Sequence, residues 1–171
     1  MFKEKLFFSF LISLLLILTS FFLSFLDKPI YNELLVFIND PLNSLPALAS
    51  KFTLNSLTEY FNAKGIKIYT EYPLSIDAAF KIAKEKDLKY LLEIKSNLLS
   101  FSRSSSGYSA KLDVFIFLYE LNNLTPKLSS NETGISENTL SADISFAYAL
   151  YDGSLKAIYK IEKDLLVILK K

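Results

Sequence analysis

Few side chains in this sequence could do chemistry. Six carboxylates stand where a site might draw on them: Glu59, Glu71, Asp77, Glu93, Asp113 and Asp143. General acid–base work needs convergent groups whose proton affinities are set apart by their surroundings. Each of the six falls on the predicted wet face of a helix or strand, or at its end, so the pattern reads as solvated surface. Ser104, Ser105 and Ser106 offer hydroxyls without a His or Lys partner pattern, and they read as a hairpin tip. The chain has no Cys and no His. That removes disulfides, thiolate metal sites, Cys nucleophiles, the commonest general base and the commonest zinc ligand. Neither a GxGxxG run nor a P-loop run occurs, so a standard nucleotide cradle is absent. These residues predict no catalytic group, no cofactor site and no metal site.

The elements that would have to position such groups begin with an apolar segment. Phe7 to Leu26, FFSFLISLLLILTSFFLSFL, carries no charge over 20 residues. As a helix it spans about 30 Å, the thickness of a hydrocarbon core. Lys3 and Lys5 precede it, and Asp27, Lys28 and Pro29 end it. A cleaved signal has a shorter apolar core and a small-x-small cleavage site; Leu18 occupies the outer small position for cleavage after Ser20. The expectation is an uncleaved transmembrane anchor within residues 1–28, carried by Phe7, Leu11, Leu15, Leu18, Phe22 and Leu26. The lysines ahead of it place the N-terminus in the cytoplasm and residues 29–171 outside. That arrangement is a single-pass protein of a bacterial inner membrane with a periplasmic domain.

The 171 residues are 51% apolar and 22% charged, which suits one folded domain plus an appendage. Net charge is +1, accounted for by Lys3, Glu4 and Lys5, so the domain is neutral. A neutral domain has no pull on a phosphate backbone, and nucleic-acid binding is not expected.

Glu33 to Asn39 is a short apolar run between prolines, predicted as a buried strand. Ser44 before Pro46 predicts a helix start. Ala47, Ser50, Leu54, Leu57 and Phe61 share one helical face, and Gly65 is placed as the left-handed residue that ends the helix. A strand at Ile66 to Tyr72 follows. Ser75 caps a second helix with Asp77 in its first turn and Ile76, Ala79, Phe80 and Ala83 inward. Lys89–Phe101 and Tyr108–Leu121 alternate as a long hairpin around a flexible tip at 102–107. Asn122 to Thr139 is read as a loop with room for a short strand. At the end, Asp152-Gly153 fits a hairpin turn, but Ala147, Leu150, Ser154, Ile158, Ile161, Leu165 and Ile168 make a helical stripe. Ser141 is its N-cap, and the stripe outweighs the ~1 kcal/mol cost of Gly153 in a helix. The fold class is α/β (α+β): a mixed sheet of about four to five strands in the order β-α-β-α-β-β, with helices packed on it and a C-terminal helix.

Two stretches carry a resemblance. SIDAAFKIAKEKDLKYLLEIKSNLLSF and SAKLDVFIFLYELNN resemble the helix with paired alanines and the strand pair of a group of bacterial envelope domains. The group includes the N-terminal domain of TolB, CsgG, LpoB, the flagellar FlgO and FlgP proteins, and the auxiliary lipoproteins of ABC transport systems. The resemblance covers Glu33 to Lys171 and is a packing pattern without a fixed chemical group. Many such proteins are lipoproteins, whereas this chain lacks the cysteine; Lys89 also replaces the usual Asp before Tyr90.

The functional expectation is a non-enzymatic accessory or scaffold subunit of an envelope complex in transport, secretion, flagellar or wall machinery. Its partners are the membrane through residues 7–26, other proteins of that complex, and further copies of itself. Phe115, Phe117 and Tyr119 form the candidate partner surface unless a helix covers them. The alternative is a binding module for a lipid or other apolar ligand held between sheet and helices.

Overall fold

The computed structural model describes residues 31–40, 44–72 and 75–170. The expected anchor residues Phe7, Leu11, Leu15, Leu18, Phe22 and Leu26 lie outside them. Among the described residues no helix is long and apolar enough to cross a membrane. The elements follow in the order β1 (Leu34–Ile38), α1 (Ala47–Ala63), β2 (Ile68–Glu71), α2 (Ile76–Glu85), β3 (Tyr90–Ser104), β4 (Gly107–Glu120), β5 (Leu128–Thr139) and α3 (Ala142–Leu169).

The strands make one mixed sheet in the order β2-β1-β3-β4-β5. β1 runs parallel to both neighbours, with Leu34 opposite Ile68 on one side and Tyr90 on the other. All five of its residues are buried, as a parallel strand covered on both faces requires. β3, β4 and β5 continue as an antiparallel meander. α1 and α3 cover one face, over Val36, Leu92, Ile94, Val114 and Ile116. α2 covers part of the other, with Ala79 and Ala83 over Leu35, Phe37 and Leu91. A helix of 10 residues is about 15 Å long, against about 50 Å for a strand of 15. α2 does not reach the far end of the hairpin, and residues 97–106 are exposed.

The predicted helix boundaries hold at most ends. Ser75 accepts from the Ala78 N–H and Ser141 from the Ile144 N–H, both at 3.3 Å. Gly65 takes φ +78°, and the Ile66 N–H closes back on the Phe61 carbonyl at 3.0 Å. Ser44 is different. It does not cap α1; its N–H and hydroxyl go to Asp40 Oδ1 at 2.9 and 2.7 Å, while Asp40 Oδ2 takes the Leu45 N–H at 2.8 Å. Burial alone would raise the Asp40 pKa, but these bonds outweigh it and hold the carboxyl below its ordinary value.

The C-terminal helix is present, and Gly153 is one reason it fits. Ser145, Ala149, Gly153 and Ala157 recur every fourth residue along its buried face. They bring the helix backbone against β5. A Cβ on Gly153 would lie 2.5 Å from Val114 Cγ2 and 2.9 Å from the Gly134 nitrogen. One on Gly134 would lie 1.8 Å from the Ala149 carbonyl oxygen. The reading of 122–139 as a loop is corrected by the same contact. β5 is a 12-residue strand whose inward positions include Gly134 and Ser136, both buried. Small inward residues are what a helix lying on the strand demands, and they hide the apolar alternation that marks a strand.

Candidate functional site

The six sequence-selected carboxylates do not converge. Glu59, Asp77 and Asp143 are exposed on α1, α2 and α3, and Glu71 and Asp113 are partly buried on β2 and β4. Glu93 departs from expectation: it is fully buried, at 0% exposure. β3 lies between β1 and β4, and the side chain meets groups from both sides. Asn39 Nδ2 donates to its Oε1 at 2.5 Å, and the Tyr119 hydroxyl donates to Oε2 at 2.8 Å. Lys95 Nζ is 3.3 Å from Oε1 and 5.6 Å from the centre of the Phe117 ring. A buried charge needs this kind of satisfaction. Burial, and then the bond to Glu93, pushes the Tyr119 hydroxyl above the usual tyrosine range. With its oxygens already engaged, the carboxylate works as a tie between β1, β3 and β4. The sequence signal for it was faint: a polar residue at a central strand position, one residue after the buried Leu91–Leu92 pair.

The expected partner surface is divided. Tyr119 is buried under α2, its ring 6.0 Å from Phe80, so it belongs to the core and not to an exposed surface. α2 reaches Phe117 only at its margin. Phe115, two residues further up β4, is partly buried and pairs with Lys95 and Asn131 across the sheet. A helix of 10 residues covers the end of this row and leaves its start open.

A larger apolar surface lies where sequence reasoning did not place one, at the hairpin end of the domain. A register shift between Leu98 and Ser100 turns the strand there. Leu98 is 55% exposed, and Leu99 and Phe101 are also exposed. The Phe101 ring stacks on Phe146 of α3 at 5.2 Å and on Tyr108 at 6.1 Å. The β5–α3 corner adds Leu140, 93% exposed, and the first turns of α1 and α3 add Leu48 and Tyr148. The tip is a tight turn, with Ser106 Oγ donating to Asn138 Oδ1 at 2.8 Å.

At the β5 edge, by contrast, side chains of α3 occupy two backbone groups. Asp152 Oδ2 accepts from the Ile135 N–H at 3.1 Å and from Lys156 Nζ at 2.6 Å. Lys160 Nζ donates to the Asn131 carbonyl at 3.3 Å and pairs with Glu132 at 2.5 Å. These bonds occupy backbone groups that another strand would otherwise use.

No family model matches the chain, and no curated protein matches its sequence. Among solved structures, the fold is similar to the PelC dodecamer from Paraburkholderia phytofirmans. The TM-score is 0.50 at 14% identity, over 75% of this chain and 85% of that one. Lipoprotein GNA1162 from Neisseria meningitidis aligns at TM-score 0.45 and 12% identity, over 76% of this chain and 98% of that one. At these identities the likeness is one of fold.

Proposed function

We propose that this protein is a non-enzymatic accessory subunit of a bacterial envelope complex, anchored in the inner membrane with its domain in the periplasm. It works by protein–protein contact, with copies of itself among its partners. The observation that carries this reading is the hairpin end of the domain. Leu98, Leu99, Phe101 and Leu140 stand in solvent there, the composition expected at the centre of an interface. The fold shared with PelC, a dodecamer, supports self-association. The gap between sheet and α3 is closed to backbone contact at Gly134 and Gly153, which favours contact over a lipid held inside.

The test is the particle mass of the full chain extracted in mild detergent. The wild type is expected to run as an oligomer, and a Leu98→Asp, Leu99→Asp variant as a smaller particle with an unchanged circular dichroism spectrum. A monomeric wild type that brings down no envelope protein would contradict the proposal.

A further inference from the structure

β3 has a strand on both sides for only part of its length. Its pairing with β1 ends at Ile38 opposite Ile94, and the Asn39 N–H closes on the Ile94 carbonyl at 2.9 Å. β4 stays beside β3 as far as Ser104, opposite Gly107. Among the described residues no strand pairs with residues 95–104 on the β1 side. A strand with one neighbour turns alternate N–H and C=O groups outward, here along about 33 Å. The groups that match such a row are those of another extended backbone.

The side chains along this edge fit a second copy of the same edge. Cross-strand partners share a face of the sheet. Leu98 lies opposite Leu112 and Phe101 opposite Ala110, and both Leu112 and Ala110 belong to the core under α1 and α3. Leu98 and Phe101 therefore share that face although they are three positions apart, because of the register shift between Leu98 and Ser100. Asn97, opposite Asp113, and Ser102, opposite Ser109, share the other face. A regular strand alternates strictly and would lose the match of faces at the shift. The same strand turned about a two-fold axis between Leu99 and Ser100 carries the same shift and keeps the match. Leu98 then meets Phe101, Asn97 meets Ser102, and Ser96 meets Arg103. The edge holds two charges, Lys95 and Arg103, and no acid. In this register they fall opposite Ser104 and Ser96, so like charges are not opposed.

We infer that two copies of the chain pair antiparallel along residues 95–104 of β3, with Leu98 of each copy against Phe101 of the other. The two sheets become one across this junction. The inference rests on the proposal that copies meet at the hairpin end, and it names the strand edge that joins them.

The chain has no cysteine, so introduced thiols report alone. Asn97→Cys, Ser102→Cys and the double variant, as full-length chains in mild detergent, are oxidised with copper phenanthroline. Residues directly opposite in an antiparallel pair have Cα atoms about 4.5–5.5 Å apart, within reach of a disulfide. Within one strand residues 97 and 102 stand about 16 Å apart, and residue 97 is as far from residue 97 of the other copy. The double variant is expected to shift to twice the chain mass, reversibly on reduction, while each single variant stays uncross-linked. An oligomer whose double variant yields no more linked dimer than the single variants would overturn this pairing and leave self-association standing. A wild type that is monomeric in detergent would overturn both.

Discussion

Glu93 and Tyr119 show how one buried pair sets both stability and its pH dependence. Tyr119→Phe removes one donor from a carboxylate with no access to water. A cost of about 1–3 kcal/mol is expected. Tyr119→Phe combined with Glu93→Leu is expected to cost less than the sum of the single changes, because both partners leave together. Urea unfolding of the three variants measures the coupling, and strict additivity would refute the tie. The hydroxyl's pKa is raised in the fold, first by burial and then by Glu93. Tyr60 behaves alike, raised by burial and then by its bond to Glu162 at 2.9 Å. A raised value means that the unfolded chain gives up these protons first. The stability they contribute is therefore complete below the unfolded value, about pH 10. It is lost as pH rises above that towards the folded values. Denaturation midpoints taken on either side of pH 10 should fall, and the fall should be shallower in the Tyr60→Phe, Tyr119→Phe double variant.

At the scale of elements, α3 and β5 explain each other. Helix propensity alone favours Gly153→Ala by about 1 kcal/mol. The added methyl would meet Val114 and the Gly134 backbone, so the variant is expected to be less stable by about 1–3 kcal/mol. A gain in melting temperature would refute the close packing. Edge closure has its own readout: Asp152→Ala should speed hydrogen exchange at the Ile135 amide while leaving Val114, inside the sheet, protected. Unchanged exchange at Ile135 would count against the bond. Most of this architecture was legible in the sequence. The apolar run at 34–38, the capping serines Ser75 and Ser141, and the lysines spaced along α3 each report a local rule. β5 was not legible, because its inward face was selected for smallness by a helix far away in sequence. Glu93 was misread for a related reason. Alternation tells which face a side chain takes, but the short α2 decides how much of that face is wet. The exposed hairpin end was not legible because Leu98, Leu99 and Phe101 are residues of core type, and only the fold shows that they remain exposed there.

At the scale of the whole described domain, the two ends differ. At one end Tyr31 bridges to Lys170; at the other the hairpin carries the exposed Leu98, Leu99 and Phe101. Leu98→Cys and Leu124→Cys full-length chains in native membranes, treated with a short bismaleimide, put this to the most direct test. Cross-linked multimers are predicted for the label site at 98 and none at 124. Equal cross-linking at both sites, or cross-linking at 124 alone, would contradict the assignment of the hairpin end as the contact surface.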